Sequence, residues 1–146
     1  MEQKHAKFER LLARCRELAP APTAVAHPCD ESSLRGAVEA AKKGIIQPIL
    51  VGPRSKIESV AREFGLDIAP YEIVDADHSH SAAERAVQLV HEGRAELLMK
   101  GSLHTDELMS AVVAETTLRT ARRMSHVFRF DVPTYAKPLR LTDSAL

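Results

Sequence analysis

The chain has 146 residues, 45% of them hydrophobic, with 20 Lys and Arg balanced by 20 Asp and Glu. This is a composition for one folded domain with a core, not for a disordered segment. Zero net charge argues against a general nucleic-acid binder and makes any anion site a local one. No apolar run approaches the ~20 residues of a membrane helix, and the N-terminus lacks the apolar stretch of a signal peptide. The two cysteines, Cys15 and Cys29, form neither a CxxC pair nor a dense disulfide framework. The expectation is a cytoplasmic protein with free thiols and no membrane partner.

Phe8, Leu11, Leu12, Cys15 and Leu18 recur at helical spacing and predict an amphipathic helix over residues 2–18, ended by Pro20 and Pro22. Thr23-Ala24-Val25-Ala26, stopped by His27-Pro28, reads as a buried strand. Asp30 or Ser32 can cap the next helix, which puts Leu34, Ala37, Val38 and Ala41 on one face and closes at Gly44. The same unit then recurs. Residues 48–52 form a strand, and Pro53 opens a helix with Ile57, Val60, Ala61 and Phe64 inward. A third strand covers residues 72–75, followed by a helix over 80–92 with Ala83, Ala86, Val87 and Val90 inward, closed by Gly93. Residues 95–99 form a fourth strand and 105–115 a helix carrying Leu108, Met109, Val112 and Val113.

Short apolar strands alternating with three-turn helices predict an α/β fold in three layers, a mainly parallel sheet covered by helices on both faces. Ligands of such sheets lie beyond the carboxyl ends of the strands. His27, Gly52, Asp75 and Lys100 fall at those ends. The last thirty residues differ. Residues 125–132 alternate with period two, Pro133-Thr134-Tyr135 breaks the run, and Leu139–Asp143 is again strand-like, which predicts an antiparallel pair. No helix follows to cover it, so the expectation is the N-terminal piece of a longer protein.

The most informative stretch is Met99-Lys100-Gly101-Ser102-Leu103-His104-Thr105-Asp106. An apolar strand ends in Lys-Gly-Ser and a helix begins at once. Unpaired N–H groups and the helix dipole would favour an anion there, with Lys100 adding a full charge, Gly101 close backbone approach, and Ser102 a hydroxyl that donates or caps. The same pattern also suits an ordinary strand-to-helix connection. Arg119, Arg122 and Arg123, followed by Ser125, could clamp phosphates in bidentate fashion, or form a solvated basic loop. Asp75, Asp77, His78 and His80 are donors in one loop, but their spacing matches no zinc or calcium pattern, so no metal is expected. Cys29 with His27 could make a nucleophilic pair, although a bystander thiol is the simpler reading. Cys15 reads as core and His91 as a partner of its helix's C-terminal dipole.

The runs Leu98–Leu108, Leu118-Arg119-Thr120, Arg122–Phe128, Asp131-Val132-Pro133 and Leu141-Thr142-Asp143 together strongly resemble the phosphate acetyltransferase/butyryltransferase family. Thr23–Asp30 and Pro48–Pro53 resemble the version that forms the C-terminal domain of bifunctional enoyl-CoA hydratase/phosphate acetyltransferase proteins. The resemblance covers nearly the whole chain and implies an isocitrate/isopropylmalate-dehydrogenase-like fold. On it, residues 1–118 form the first domain and 119–146 the start of a second. It implies transfer of an acyl group between coenzyme A and inorganic phosphate, with both as substrates and no cofactor, in a homo-oligomer. Lys100, Gly101, Ser102, His104 and Thr105, with Arg119, Arg122, Arg123 and Ser125, would then bind phosphate or coenzyme A. The family's catalytic Ser–Arg pair and Asp lie beyond the position of Leu146, so this chain alone is expected to turn over poorly or not at all. The alternative is a non-catalytic module that binds coenzyme A or phosphate.

Overall fold

The structure is a computed structural model and describes residues 5–143. In chain order its elements are α1 (Ala6–Arg16), β1 (Ala21–Ala26), α2 (Glu31–Lys42), β2 (Ile46–Gly52), α3 (Arg54–Glu63), β3 (Glu72–Asp75), α4 (Ser79–His91), β4 (Leu97–Lys100), α5 (Thr105–Ala114), β5 (Val127–Phe130) and β6 (Leu139–Thr142), with a 3₁₀ turn at Thr116–Leu118. They fall into two compact units. One runs from Ala19 to Arg119; the other joins the chain up to Leu18 with the chain from Thr120 onward.

The larger unit is a four-stranded parallel sheet in the order β3-β2-β1-β4. Alternation along the two central strands sorts the core into two layers. Val25 and Leu50 face Leu34 and Ala37 of α2 and Ile57 and Ala61 of α3. Ala24, Ala26, Ile49 and Val51 face Ala83, Ala86 and Val87 of α4 and Leu108 and Ala111 of α5. Strands buried on both faces explain why β1 and β2 read as continuous apolar runs rather than alternating ones. β3 and β4, at the edges, are only half covered.

Side chains close the helix starts. The Asp30 carboxylate accepts from the Ser33 amide at 2.8 Å, so Asp30 rather than Ser32 caps α2. Asp75, at the end of β3, accepts from the Arg54 amide at 2.9 Å and caps α3 from the neighbouring strand. His78 Nδ1 accepts from the Ser81 amide at the start of α4. At helix ends, Gly44 and Gly93 take φ of 74° and 75°, a turn that a residue with a Cβ enters at a cost.

The sheet order contains one reversal. β1 to β2 to β3 steps in one direction, and β4 is then added on the other side of β1. The connections leaving β1 and β4 therefore diverge to opposite faces, α2 to one and α5 to the other, and open a crevice at their carboxyl ends.

The smaller unit is α1 with the antiparallel hairpin β5-β6, in the register Phe128 opposite Leu141 and Phe130 opposite Leu139. In this unit α1 groups with the hairpin, and Asp131 joins them. One carboxylate oxygen accepts from Lys7 Nζ at 3.0 Å, the other from the Phe8 amide at 2.9 Å, and Lys7 also donates to the Val132 carbonyl at 2.8 Å. Along α1 only Leu12 is buried; Phe8 and Leu11, expected inward, are exposed.

The Phe8 amide first, and Lys7 with it, hold the Asp131 carboxyl below its ordinary value of 3.8. A carboxyl lowered on folding stabilises the contact above its unfolded value, and that contribution is lost as the pH falls through the folded one. In an acid titration followed by NMR, the Phe8 amide shift should therefore move with a midpoint below 3.8. A midpoint at the ordinary value would remove the pair, and Asp131→Asn should abolish the titration.

Candidate functional site

The crevice between β1 and β4 is stitched across its floor. The Gly101 amide donates to the Ala26 carbonyl and the Ser102 amide to the His27 carbonyl, both at 2.8 Å. The Ser102 hydroxyl also donates to the His27 carbonyl at 2.8 Å and accepts from the Cys29 amide at 3.1 Å. His27 holds φ of 56°, a strained backbone for a residue with a Cβ. Its Nδ1 lies 3.0 Å from the Ser102 carbonyl oxygen. A carbonyl can only accept, so Nδ1 carries the proton. Gly101 is buried where the two loops cross, and a Cβ there would press on the Ala26 carbonyl oxygen and stand 2.5 Å from that of His27.

This geometry corrects part of the sequence reading. The amides of Gly101 and Ser102 and the Ser102 hydroxyl were expected to face a ligand, yet all three are spent on the carbonyls of Ala26 and His27, at and just beyond the end of β1. Ser102 is a rivet between loops rather than a helix cap or an anion donor. What remains open lies one step along the chain. His104 donates its amide to the Glu107 carboxylate at 2.9 Å, while the amides of Leu103, Thr105 and Asp106 have no hydrogen-bond partner among the described residues. Lys100, His104 and Thr105 are exposed. Lys100 forms no ion pair among the described residues and lies within the field of Asp30, whose carboxyl is held low first by Ser33 and then, more weakly, by His27 and Lys100. Glu107, held low by Ser79 and by the His104 amide, already answers part of the α5 dipole. The site is thus one lysine with the free first-turn amides of α5, at the reversal point of the sheet.

No family model matches the sequence. The chain is 60% identical over 141 residues to a phosphate acetyltransferase of Rhizobium meliloti, an alignment covering 96% of this chain and 45% of that protein. It is 50% identical over 146 residues to a phosphate acetyltransferase of Rickettsia typhi, covering 99% and 42%. With a phosphate butyryltransferase of Clostridium beijerinckii the identity is 40% over 139 residues, covering 94% and 46%. Over nearly its whole length the chain is thus similar to part of phosphate acetyltransferases and of a phosphate butyryltransferase. It spans less than half the length of these relatives. Among solved structures, a phosphotransacetylase from Streptococcus pyogenes superposes with a TM-score of 0.74 at 14% identity, over 91% of this chain and 50% of that one. A branched-chain phosphotransacylase from Enterococcus faecalis V583 gives 0.66 at 24% identity, over 86% and 44%. At these identities the superpositions show a shared α/β fold.

The remaining residues singled out from the sequence divide between the two units. Arg119 closes the sheet-bearing unit, whereas Arg122, Arg123 and Ser125 belong to the hairpin unit. All four are exposed, and none of the three arginine side chains has an ion pair or hydrogen bond among the described residues. Asp75 and His78 are helix caps, and His80 pairs with Glu84 at 3.2 Å. Among the described residues no cluster of three or more His, Cys, Asp or Glu side chains could hold a metal ion. His91 Nδ1 meets Thr117 Oγ1 at 2.6 Å and lies 3.8 Å from Glu115, so a tertiary contact accompanies its place in the last turn of α4. No described helix is long and apolar enough to cross a membrane.

The sequence placed His27 at a strand end and Asp30 at a helix start, but carried no signal that the His27 loop bonds to Ser102 or that Asp30 lies within the field of Lys100. Cys29 shares that loop, but burial pushes its thiol up to about 11, against partial relief from Lys56. A thiol that stays protonated at neutral pH is a poor nucleophile, which favours the bystander reading. At pH 8, iodoacetamide should label Cys29 in the folded chain about a hundredfold more slowly than in the urea-unfolded chain. Equal rates by peptide mapping would refute its burial.

A concavity of about 670 Å³ lies between α3 and the outer strand β3, floored by Ala61, Leu66, Ile68, Tyr71 and Ile73. It is on the far edge of the sheet from the β1–β4 crevice.

Proposed function

We propose that this chain supplies the phosphate-gripping part of an acyltransferase that moves an acyl group, acetyl or butyryl, between coenzyme A and inorganic phosphate. The observation that carries the reading is Lys100, exposed beside the open amides of α5 where the sheet order reverses. In this reaction a phosphate oxygen attacks the thioester carbonyl, a tetrahedral oxyanion forms, and the coenzyme A thiolate leaves. The protein must hold a dianion against the carbonyl and offset the charge that develops. Lys100 and the amides of Thr105 and Asp106 suit the phosphate, with Thr105 and His104 at the rim. Arg119, Arg122, Arg123 and Ser125 suit phosphate or the phosphates of coenzyme A. The names of the relatives support acyl transfer to phosphate, and the free thiols of Cys15 and Cys29 support a cytoplasmic setting. We also take residues 119–146 as the start of a second domain, and the assembly as a homo-oligomer, which sedimentation tests.

The second reading is a module that binds coenzyme A or phosphate without turning over. Calorimetry with phosphate and with coenzyme A, beside a phosphate-dependent acetyl-CoA assay, separates the two. Binding with little or no turnover is the expected result for the chain by itself. Absence of phosphate binding would overturn the first reading, and absence of both phosphate and coenzyme A binding would overturn the second as well.

A further inference from the structure

The donors assigned to phosphate share the crevice with two groups that accept hydrogen bonds. His27, just past the end of β1, is the first. Its Nδ1 lies 3.0 Å from the Ser102 carbonyl oxygen and 3.2 Å from the Ser102 hydroxyl oxygen. That hydroxyl spends its own proton on the His27 carbonyl and accepts from the Cys29 amide. Both oxygens near Nδ1 are therefore acceptors. This fixes the proton of the neutral ring on Nδ1 and leaves Nε2 with a bare lone pair. Nε2 has no hydrogen-bond partner among the described residues and is open to solvent. The ring is thus tethered in one tautomer on a left-handed backbone, with φ of 56°, a costly arrangement of the kind that functional sites retain.

Asp30 is the second acceptor. Its Oδ1 takes hydrogen bonds from the amide and the hydroxyl of Ser33. The Ser33 hydroxyl first, and its amide next, hold the carboxyl below its ordinary value of 3.8, so it is ionised near neutral pH. Oδ2 has no partner among the described residues, and the residue is exposed. Lys100 acts on this carboxylate through space, with no ion pair between them. A lysine and the open amides of α5, which can only donate, therefore lie near a carboxylate and a neutral imidazole nitrogen, which can only accept.

Such a mixed set suits one kind of anion. Hydrogen phosphate and sulfate share charge, size and tetrahedral shape, but only hydrogen phosphate carries a proton. Sulfate would bring lone pairs against the Asp30 carboxylate and the Nε2 lone pair, a repulsion with no hydrogen bond to offset it. An anion with an O–H turns one of those contacts into a hydrogen bond. We propose that His27 and Asp30 are the specificity-determining residues of the anion site, accepting from the hydroxyl of hydrogen phosphate and excluding sulfate. The inference rests on the reading that phosphate binds at Lys100.

Calorimetry of the full 146-residue chain with inorganic phosphate and with sulfate, at one near-neutral pH and equal ionic strength, tests it. The chain should prefer phosphate about tenfold. Asp30→Asn keeps the cap of α2, because asparagine caps as well as aspartate, and puts a neutral amide where the carboxylate repels. It should raise sulfate affinity about fivefold and shrink the preference to about twofold. His27→Asn tolerates the left-handed backbone and keeps a short side-chain donor for the Ser102 carbonyl, but removes Nε2. It should weaken phosphate about fivefold and leave sulfate no weaker. Unchanged NMR amide shifts in β2, β3 and α4 check that both variants keep the sheet. Equal affinity for the two anions, or a preference that survives either substitution, would overturn the inference and leave phosphate binding at Lys100 standing. A chain that binds no phosphate would remove both.

Discussion

Gly101→Ala should destabilise the sheet-bearing unit by about 3 kcal/mol or more, a loss of roughly 10 °C in melting temperature for a chain of this size. The new methyl carbon would meet backbone, not a movable side chain: the Ala26 carbonyl oxygen, the His27 carbonyl oxygen at 2.5 Å and the His27 carbonyl carbon at 2.6 Å. Relief requires β4 to slide from β1, which breaks the bonds from the Gly101 and Ser102 amides to that strand. The same substitution at Gly36 is the internal control. There a Cβ approaches only the Met99 terminal methyl, at 3.8 Å. Gly36→Ala, in the middle of α2, should instead stabilise by about 0.5–1 kcal/mol through its lower unfolded-state entropy. Urea melts of the two variants decide it; a Gly101→Ala chain as stable as the parent would show that the two loops do not cross as described.

Lys100→Ala should do the reverse, sparing the fold and weakening the anion. Its side chain is exposed and makes no ion pair among the described residues, so stability should stay within about 0.5 kcal/mol of the parent. A charge-assisted contact to phosphate is worth about 1.5–3 kcal/mol, and its loss should lower phosphate affinity about tenfold to a hundredfold in calorimetry. Ionic strength offers a cross-check. Phosphate binding to the parent should weaken as salt rises, and the alanine variant should show a shallower dependence. An unchanged phosphate affinity in Lys100→Ala would place the anion elsewhere and remove the basis of the proposed function. The pair of variants separates the two roles of adjacent residues: Gly101 joins the strands, and Lys100 meets the ligand.

The local signals that depend on neighbours in sequence were legible without coordinates. The apolar spacing of Leu34, Ala37 and Val38, of Ile57 and Ala61, and of Ala83, Ala86 and Val87 marks helix faces that are indeed buried. Gly44 and Gly93 mark helix ends, and the period-two run at 125–132 contains a strand of the antiparallel pair. Periodicity and turn chemistry act over a few residues, so the sequence carries them openly. The motif around Lys100 was legible in the same way, as a strand that hands over to a helix.

What the motif does with its atoms was not. The placement of β4 beside β1, about 75 residues away in sequence, turns the Gly101 and Ser102 amides and the Ser102 hydroxyl inward, and it makes His27 and Asp30 part of the site. Strand order depends on which apolar faces pack across the sheet, and no local pattern encodes it. The union of α1 with the hairpin through Lys7, Phe8 and Asp131 is of the same kind, a contact between the two ends of the chain. Sequence by itself determined the elements and the buried faces of α2, α3 and α4. Tertiary structure alone decided which polar groups near Lys100 remain free for an anion, because a backbone amide can be spent only once and its nearest acceptor lies on a distant strand.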